Sequence, residues 1–489
     1  MLREQFDSVA RQFPEAVALV DGEARVTYAD LMARAGRFAR HLVEQAGLRR
    51  GDLVAACLPN CWEVVAGFLA TAGMGAVWMP FHPQWRTREF AWFAGRLRFR
   101  VLVTNIRLQD PWRDGGVLPP SVVLVDHPDV QDRLLTSATG LPASPSPEDE
   151  PCVYLATSGS TGRPRVVPRT QANLVAVARN TAAALGVQAG MRILSVVPFH
   201  YAFGFQSCML LPLLYGATAV LLPSFTPASL EAAVARERIQ FLMASPFIYA
   251  MLLESGVRRA SFASVEIAVS SGARMSQDLL SRCADRLGLH VRQLYGTSET
   301  GAIAIESPGV PVQTGTAGHP VRSVEIRILD EHGQCLGPGC TGEIAVRGPG
   351  VMTGYIDEPD LNRDVFLDGF FRTGDLGRLD PSGVLILSGR SKAILNIGGI
   401  KVDPVEIEDV LLEMPEVRDC VVHGVHDERQ GEIVAAIIAV RPGCALSRQA
   451  IVAHCRQRLA EFKIPRRLEL VDSLPVEVTG KKPRAWRTD

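Results

Sequence analysis

CVYLATSGSTGRPR, residues 152–165, runs from a β-rich segment into six positions that hold four hydroxyl residues and two glycines, followed by two arginines. Gly159 and Gly162 permit positive φ, which turns successive N–H groups inward, and Thr157, Ser158, Ser160 and Thr161 add hydroxyl donors. The stretch therefore reads as a phosphate cradle, with an exposed flexible turn as the open alternative. A strand that feeds such a loop marks the ligand-binding end of an α/β sheet.

Upstream, helical periods alternate with short apolar runs. TYADLMARAGRFARHLVEQ (27–45) is helical, DLVAACLP (52–59) a buried strand, WEVVAGFLATAGMG (62–75) helical again and AVWMPF (76–81) a strand. That order predicts parallel sheets with crossover helices. The alternation resumes from about 173 to 305. From 323 to 355 short strands joined by glycine turns form a small β-region. Gly337, Gly339 and Gly342 spell GxGxxG there, but a strand-like EIAVRG follows where a dinucleotide fingerprint needs a helix. From about 391 the pattern becomes a small α+β unit. The expected fold is α/β: a large N-terminal domain (1–390) of layered α/β subdomains plus the small β-region, and a small, mobile α+β C-terminal domain (391–489).

The 489 residues exceed one core, and 47% hydrophobic with 21% charged residues excludes wholesale disorder. A net charge of -1 offers no attraction for nucleic acid or an anionic membrane. The apolar run CMLLPLLYGATAVLLP is broken by Pro212 and Gly216, so it reads as buried helix and strand rather than a membrane span. Ten scattered cysteines lack zinc or redox spacing, and no signal segment opens the chain. A cytoplasmic protein with free thiols is expected. The chain has five lysines, Lys392, Lys401, Lys463, Lys481 and Lys482, all in its last hundred residues. A lysine that persists amid arginines invites the question of what a compact ammonium does there.

A nucleotide reaction needs an aromatic face for a base, a carboxylate for ribose, another for Mg²⁺, and cations for phosphate. QLYGTSETG (293–301) offers Tyr295, Thr297, Ser298 and Glu299; FRTGDLG (371–377) offers Asp375 in a Thr-Gly turn; GRSKAILNIGGIKVDPVEIE (389–408) offers Arg390, Lys392, Gly398 and Gly399; TGKKPR (479–484) offers Lys481. In this order, with PFHYAFGF (198–205), SSGA (270–273) and EFKIPRRLELVDSLPVEVTGKKPR (461–484), the chain resembles the adenylate-forming superfamily of acyl- and aryl-CoA synthetases, nonribosomal peptide synthetase adenylation domains and luciferases. The resemblance runs from about Thr27 to Arg484.

The resemblance implies that ATP and a carboxylic acid give an acyl adenylate and pyrophosphate, and that coenzyme A then takes the acyl group. Thr157, Ser158, Gly159, Ser160, Thr161, Gly162 and Arg165 would hold phosphates. Tyr295 would stack near adenine beside Ser271, Gly272, Ala273 and Gly296, with Thr297 and Ser298 adjoining. Glu299 and Thr161 would hold Mg²⁺, and Asp375 the ribose hydroxyls with Arg390 nearby. Lys481 would reach the α-phosphate and the attacking carboxylate. Lys392 would be the hinge about which the small domain swings Gly398 and Gly399 toward a pantetheine arm. Arg165 stands where the family usually has Lys, and Ala393 replaces a frequent acidic residue.

His200, also implied to be catalytic, Phe203, Phe205, Gln206, Phe247, Ser271, Gly296 and Ser298 are expected at the acyl pocket. No Asp or Glu lies between Tyr201 and Pro223 to meet a substrate ammonium, which favours an aryl or medium aliphatic acid without an α-amino group. A separate acyl carrier protein is the alternative thiol donor, and a catalytically silent nucleotide-binding paralogue the remote alternative. Neither nucleic acid nor membrane is an expected partner.

Overall fold

The computed structural model describes residues 2–83, 85, 87–136, 148–157, 164–306, 315–390, 395–397, 400–402, 404–427, 431–459 and 461–474. Among these, the large N-terminal part holds a 14-stranded and a 6-stranded sheet, and the C-terminal part a 3-stranded sheet with a 2-stranded hairpin. The expected α/β fold is present.

The strand Leu53–Cys57 is buried along its whole length and pairs in parallel with Val77–Pro80 on one side and Phe99–Thr104 on the other. Strands covered on both faces read as continuous apolar runs, as these do. The helix Tyr28–Ala46, which leads from the 14-stranded sheet to the 6-stranded one, starts at Thr27, whose side chain accepts from Asp30 N, and stops at Gly47 in the left-handed region. Gln171–Leu185 starts with a capping box in which Thr170 and Asn173 satisfy one another's backbone N–H. The apolar run from Cys208 folds as expected, except that Gly204–Leu210 is a π-helix. A Cβ at Gly204 would lie 2.2 Å from the Pro198 carbonyl oxygen, so only glycine lets this wide turn pack on the segment that follows the strand Arg192–Ser195.

In the 14-stranded sheet, Phe241–Ala244, Ile267–Ser270 and Val291–Thr297 are parallel neighbours. The residues after Ala244 and Ser270 and the tip of the third strand thus share one sheet edge, outside the strands' carboxyl ends. Gly342, last of the GxGxxG glycines, opens the strand Gly342–Arg347, in keeping with a β-region and not a dinucleotide turn.

The C-terminal part has its own core around Val402, Ile407, Leu411, Cys420, Ile438, Ile451 and Cys455. Its helix Arg448–Arg456 is capped by Ser447, and a 3₁₀ turn Glu461–Lys463 follows. Among the described residues, three ion pairs join this part to the larger one: Arg274 to Asp409 at 2.9 Å, Arg418 to Glu254 at 2.6 Å and Arg441 to Asp278 at 3.6 Å. No helix among the described residues is long and apolar enough to cross a membrane.

Candidate active site

Thr157 ends the strand Pro151–Thr157 and faces Arg165, the first residue of the antiparallel strand Arg165–Thr170. The two ends of the glycine stretch are therefore held side by side. Ser158, Gly159, Ser160, Thr161 and Gly162 lie outside the described residues, as do Lys392, Gly398, Gly399 and Lys481.

Tyr295, Gly296 and Thr297 are the last residues of a strand rather than part of a free turn, and they pair with Gly301–Ile305. Ser298, Glu299 and Thr300 make the bend. A Cβ on Gly296 would lie 2.3 Å from the Gly301 carbonyl oxygen, so a side chain there would prise the strands apart. Thr297 N donates to Thr300 Oγ1 at 3.3 Å, which tightens the bend.

Asp375 likewise sits within a strand, Phe370–Leu379, and not in the simple turn that Thr373 and Gly374 suggest. The ladder pairs Glu343 with Leu376 and Ala345 with Arg372, so Thr373, Gly374 and Asp375 bulge opposite Ile344. Gly374 takes φ 73°, and Thr373 Oγ1 accepts from Asp375 N at 3.1 Å. Bulges re-aim side chains beside functional sites. Here the re-aimed Asp375 carboxylate accepts from Tyr295 Oη at 2.8 Å, and Arg390 lies across the ladder from it. Residues expected at the base and the ribose are thus brought together from 80 positions apart.

Glu299 is gripped at both ends. Its carbonyl oxygen accepts from Arg169 Nη1 and from Met352 N, each at 2.7 Å, and its Oε1 accepts from Tyr355 Oη at 2.8 Å. Arg169 is 0% exposed, and among the described residues neither its Nε nor its Nη2 has a hydrogen-bond partner. Burial pulls this guanidinium down to about 10, with Glu299 acting against that shift, so it stays cationic at neutral pH. Burial, and then Glu299, push the Tyr355 phenol up. Neither Arg169 nor Tyr355 stood out in the sequence. RVVPRT shows no period of two that would mark a buried Arg169, because the strand is covered on both faces, and Tyr355 ends a glycine run that reads as hairpin turns.

At the expected acyl pocket, His200 is half-buried with its Nε2 enclosed and without a partner among the described residues. Burial, and then His82 with its ring centroid 4.4 Å away, push the imidazole well below its usual range. Phe203 and Phe247 are half-buried, Ser271 is buried, and Gln206 is buried with an unpartnered Nε2 among the described residues. Phe205 is 0% exposed and packs edge-on against Phe68 at 4.9 Å, deep in the main core. Gly272 takes φ 92°, and Gly272 and Ala273 are exposed.

These groups suit Mg·ATP. Glu299 offers a hard oxygen donor, and no cluster of three or more His, Cys, Asp or Glu exists among the described residues to form an all-protein metal cage. Phosphate oxygens and water would complete the shell of a Mg²⁺ held there, as that ion ordinarily requires.

The profile of the AMP-binding enzyme family matches residues 6–356, and that of the AMP-binding enzyme C-terminal domain matches residues 406–481. Oxalate–CoA ligase of Arabidopsis thaliana is 32% identical over 501 residues, covering 98% of this chain and 96% of its own length. Medium-chain fatty-acid–CoA ligase of Escherichia coli is 30% identical, covering 98% of this chain and 88% of its own length. The structure of o-succinylbenzoate coenzyme A synthetase from Bacillus subtilis in complex with ATP and magnesium ion superposes with a TM-score of 0.87 at 28% identity, covering 98% of each chain. With both profiles matched and the Tyr295, Glu299 and Asp375 geometry in place, the chain belongs to the AMP-binding enzyme family.

Proposed function

We propose that this chain activates a carboxylic acid with ATP and transfers the acyl group to coenzyme A. The acid's oxygen attacks the α-phosphorus, the bond to the β-phosphate breaks and pyrophosphate leaves. The thiolate then attacks the acyl carbon and AMP departs. The observation that carries this reading is the meeting of Tyr295 with Asp375, with Glu299 held in the bend that ends the Tyr295 strand.

Phosphoryl chemistry asks the protein mainly for positioning and for charge to offset charge. Asp375 holds the ribose hydroxyls, Tyr295 lies against the base, Glu299 holds the cation, and Thr157 and Arg165 carry the phosphate cradle between them. Bound Mg²⁺ supplies neutralisation of phosphate charge. Lys481 serves the α-phosphate from the C-terminal domain, which turns about Lys392. A separate C-terminal core, tied to the larger part by ion pairs such as Arg418 with Glu254, supports a boundary near 390.

The acid is aryl or medium aliphatic. Phe203 and Phe247 provide apolar contact, the neutral His200 imidazole and the Gln206 amide offer polar contact, and a substrate ammonium would lack a carboxylate in the 201–223 segment. The test is pyrophosphate release from Mg·ATP across aryl, fatty and amino acids, with and without coenzyme A and with Lys481→Ala as the blank. Release that requires Lys481 and yields a thioester supports the reading. Adenylate without thioester points to a carrier protein as acceptor, and silence across the panel refutes it.

A further inference from the structure

Tyr355 joins two groups far apart in sequence. Its hydroxyl donates to Glu299 Oε1 at 2.8 Å, and its ring lies beneath the Arg165 guanidinium, 5.3 Å from the centroid. It is 6% exposed. Its backbone is clamped by one side chain: Tyr355 N donates to Asn362 Oδ1 at 2.7 Å, and Asn362 Nδ2 donates to the Tyr355 carbonyl at 2.9 Å. Neighbouring Gly354, at φ 145°, makes room, because a Cβ there would lie 2.9 Å from Asn362 Nδ2. The same segment supplies Met352 N to the Glu299 carbonyl.

Core packing alone would need only a ring, which Phe supplies without burying a hydroxyl. The hydroxyl is instead spent on a carboxylate, and the ring on a planar cation. A hydrogen bond from outside the coordination shell fixes a ligating carboxylate's orientation and tunes its affinity. Stacking on a ring face suits guanidinium better than ammonium, which gives a physical reason for Arg at a position where the family usually has Lys.

We propose that Tyr355 is a positioning residue for the nucleotide site: its hydroxyl orients the Glu299 carboxylate and its ring seats Arg165, so that the cation ligand and the phosphate-facing cation keep one fixed spacing. This rests on the reading of Glu299 and Arg165 given under Proposed function.

Binding of Mn²⁺ to the full-length enzyme with α,β-methylene-ATP, followed by electron paramagnetic resonance, tests it without turnover. Tyr355→Phe is expected to weaken Mn²⁺ binding roughly tenfold, the scale of such outer contacts. The KM for Mg·ATP should rise in parallel, while kcat at saturation and the urea midpoint change little. Wild-type Mn²⁺ affinity in Tyr355→Phe, alongside a loss in Glu299→Gln, would overturn the proposal and leave the role of Glu299 standing. Wild-type affinity in Glu299→Gln would overturn both. Arg165→Lys gives an independent reading should Tyr355→Phe not fold: a raised KM for Mg·ATP is expected despite the retained charge, and an unchanged KM overturns the proposal.

Discussion

Replacing Gly296 with Ala places a methyl group where the backbone of the facing strand already lies. The new Cβ would sit 2.3 Å from Gly301 O, 3.0 Å from Gly301 C and 3.1 Å from Ala302 Cα. These neighbours are backbone atoms, so no side chain can swing aside, and relief requires the strands to part by about 1 Å from their usual spacing of about 4.8 Å. The pairs Gly296 with Ala302 and Thr297 with Gly301 would stretch. Overpacking at about 1–3 kcal/mol and a weakened buried ladder bond at about 1 kcal/mol together come to about 3 kcal/mol. The same movement displaces Glu299, and a 1 Å misplacement costs on the order of 100-fold in rate. Urea unfolding followed by circular dichroism reads the first effect, and pyrophosphate release with a turned-over acid reads the second. Wild-type midpoint and wild-type release in Gly296→Ala would refute the reasoning, because they would mean that the hairpin accommodates a Cβ without moving its bend.

Phe205→Ala should cost about 3–5 kcal/mol with acid preference unchanged, since the ring is wholly in the core, whereas Phe203→Ala should alter the acid profile at little cost in stability. Urea midpoints beside a substrate panel separate the two. The three ion pairs between the parts should weaken with salt, because screening shortens from about 10 Å at 0.1 M to about 3 Å at 1 M. Limited proteolysis between the two cores should then quicken, an unchanged rate would count against an ionic junction, and Arg418→Ala should cost less than about 1 kcal/mol. His200 has a lowered folded pKa, so the unfolded chain binds a proton that the folded imidazole refuses as pH falls below 6.5. Stability is therefore lost as pH drops through that window, and His200→Asn should flatten this part of the pH profile of the urea midpoint.

Buried parallel strands such as Leu53–Cys57 announce themselves as unbroken apolar runs, and capped helices such as Tyr28–Ala46 as periodic ones, because one-dimensional patterning reports burial directly. The glycine stretch after Thr157, Glu299 in its Gly-flanked bend and Asp375 beside Gly374 could be picked out because glycine and short polar residues mark places where backbone and ligand come close. Local readings still misjudged the setting of Asp375, which lies in a strand rather than a simple turn, since a bulge exists only relative to the strand it faces. Phe205 and Phe203 are two residues apart and indistinguishable by type, but the π-helix turns one into the core against Phe68 and leaves the other half-buried. Arg169 and Tyr355 stayed hidden for the same reason: an arginine in a strand and a tyrosine after a glycine acquire meaning only when folding brings both onto Glu299, 130 and 56 positions away. The sequence by itself determined the chemical types and the layered α/β scaffold, because hydrophobic periodicity and backbone freedom are local properties. Which groups meet, and which are held by others, was decided only by tertiary structure, because long-range pairing and burial set the distances at which charges and hydrogen bonds act.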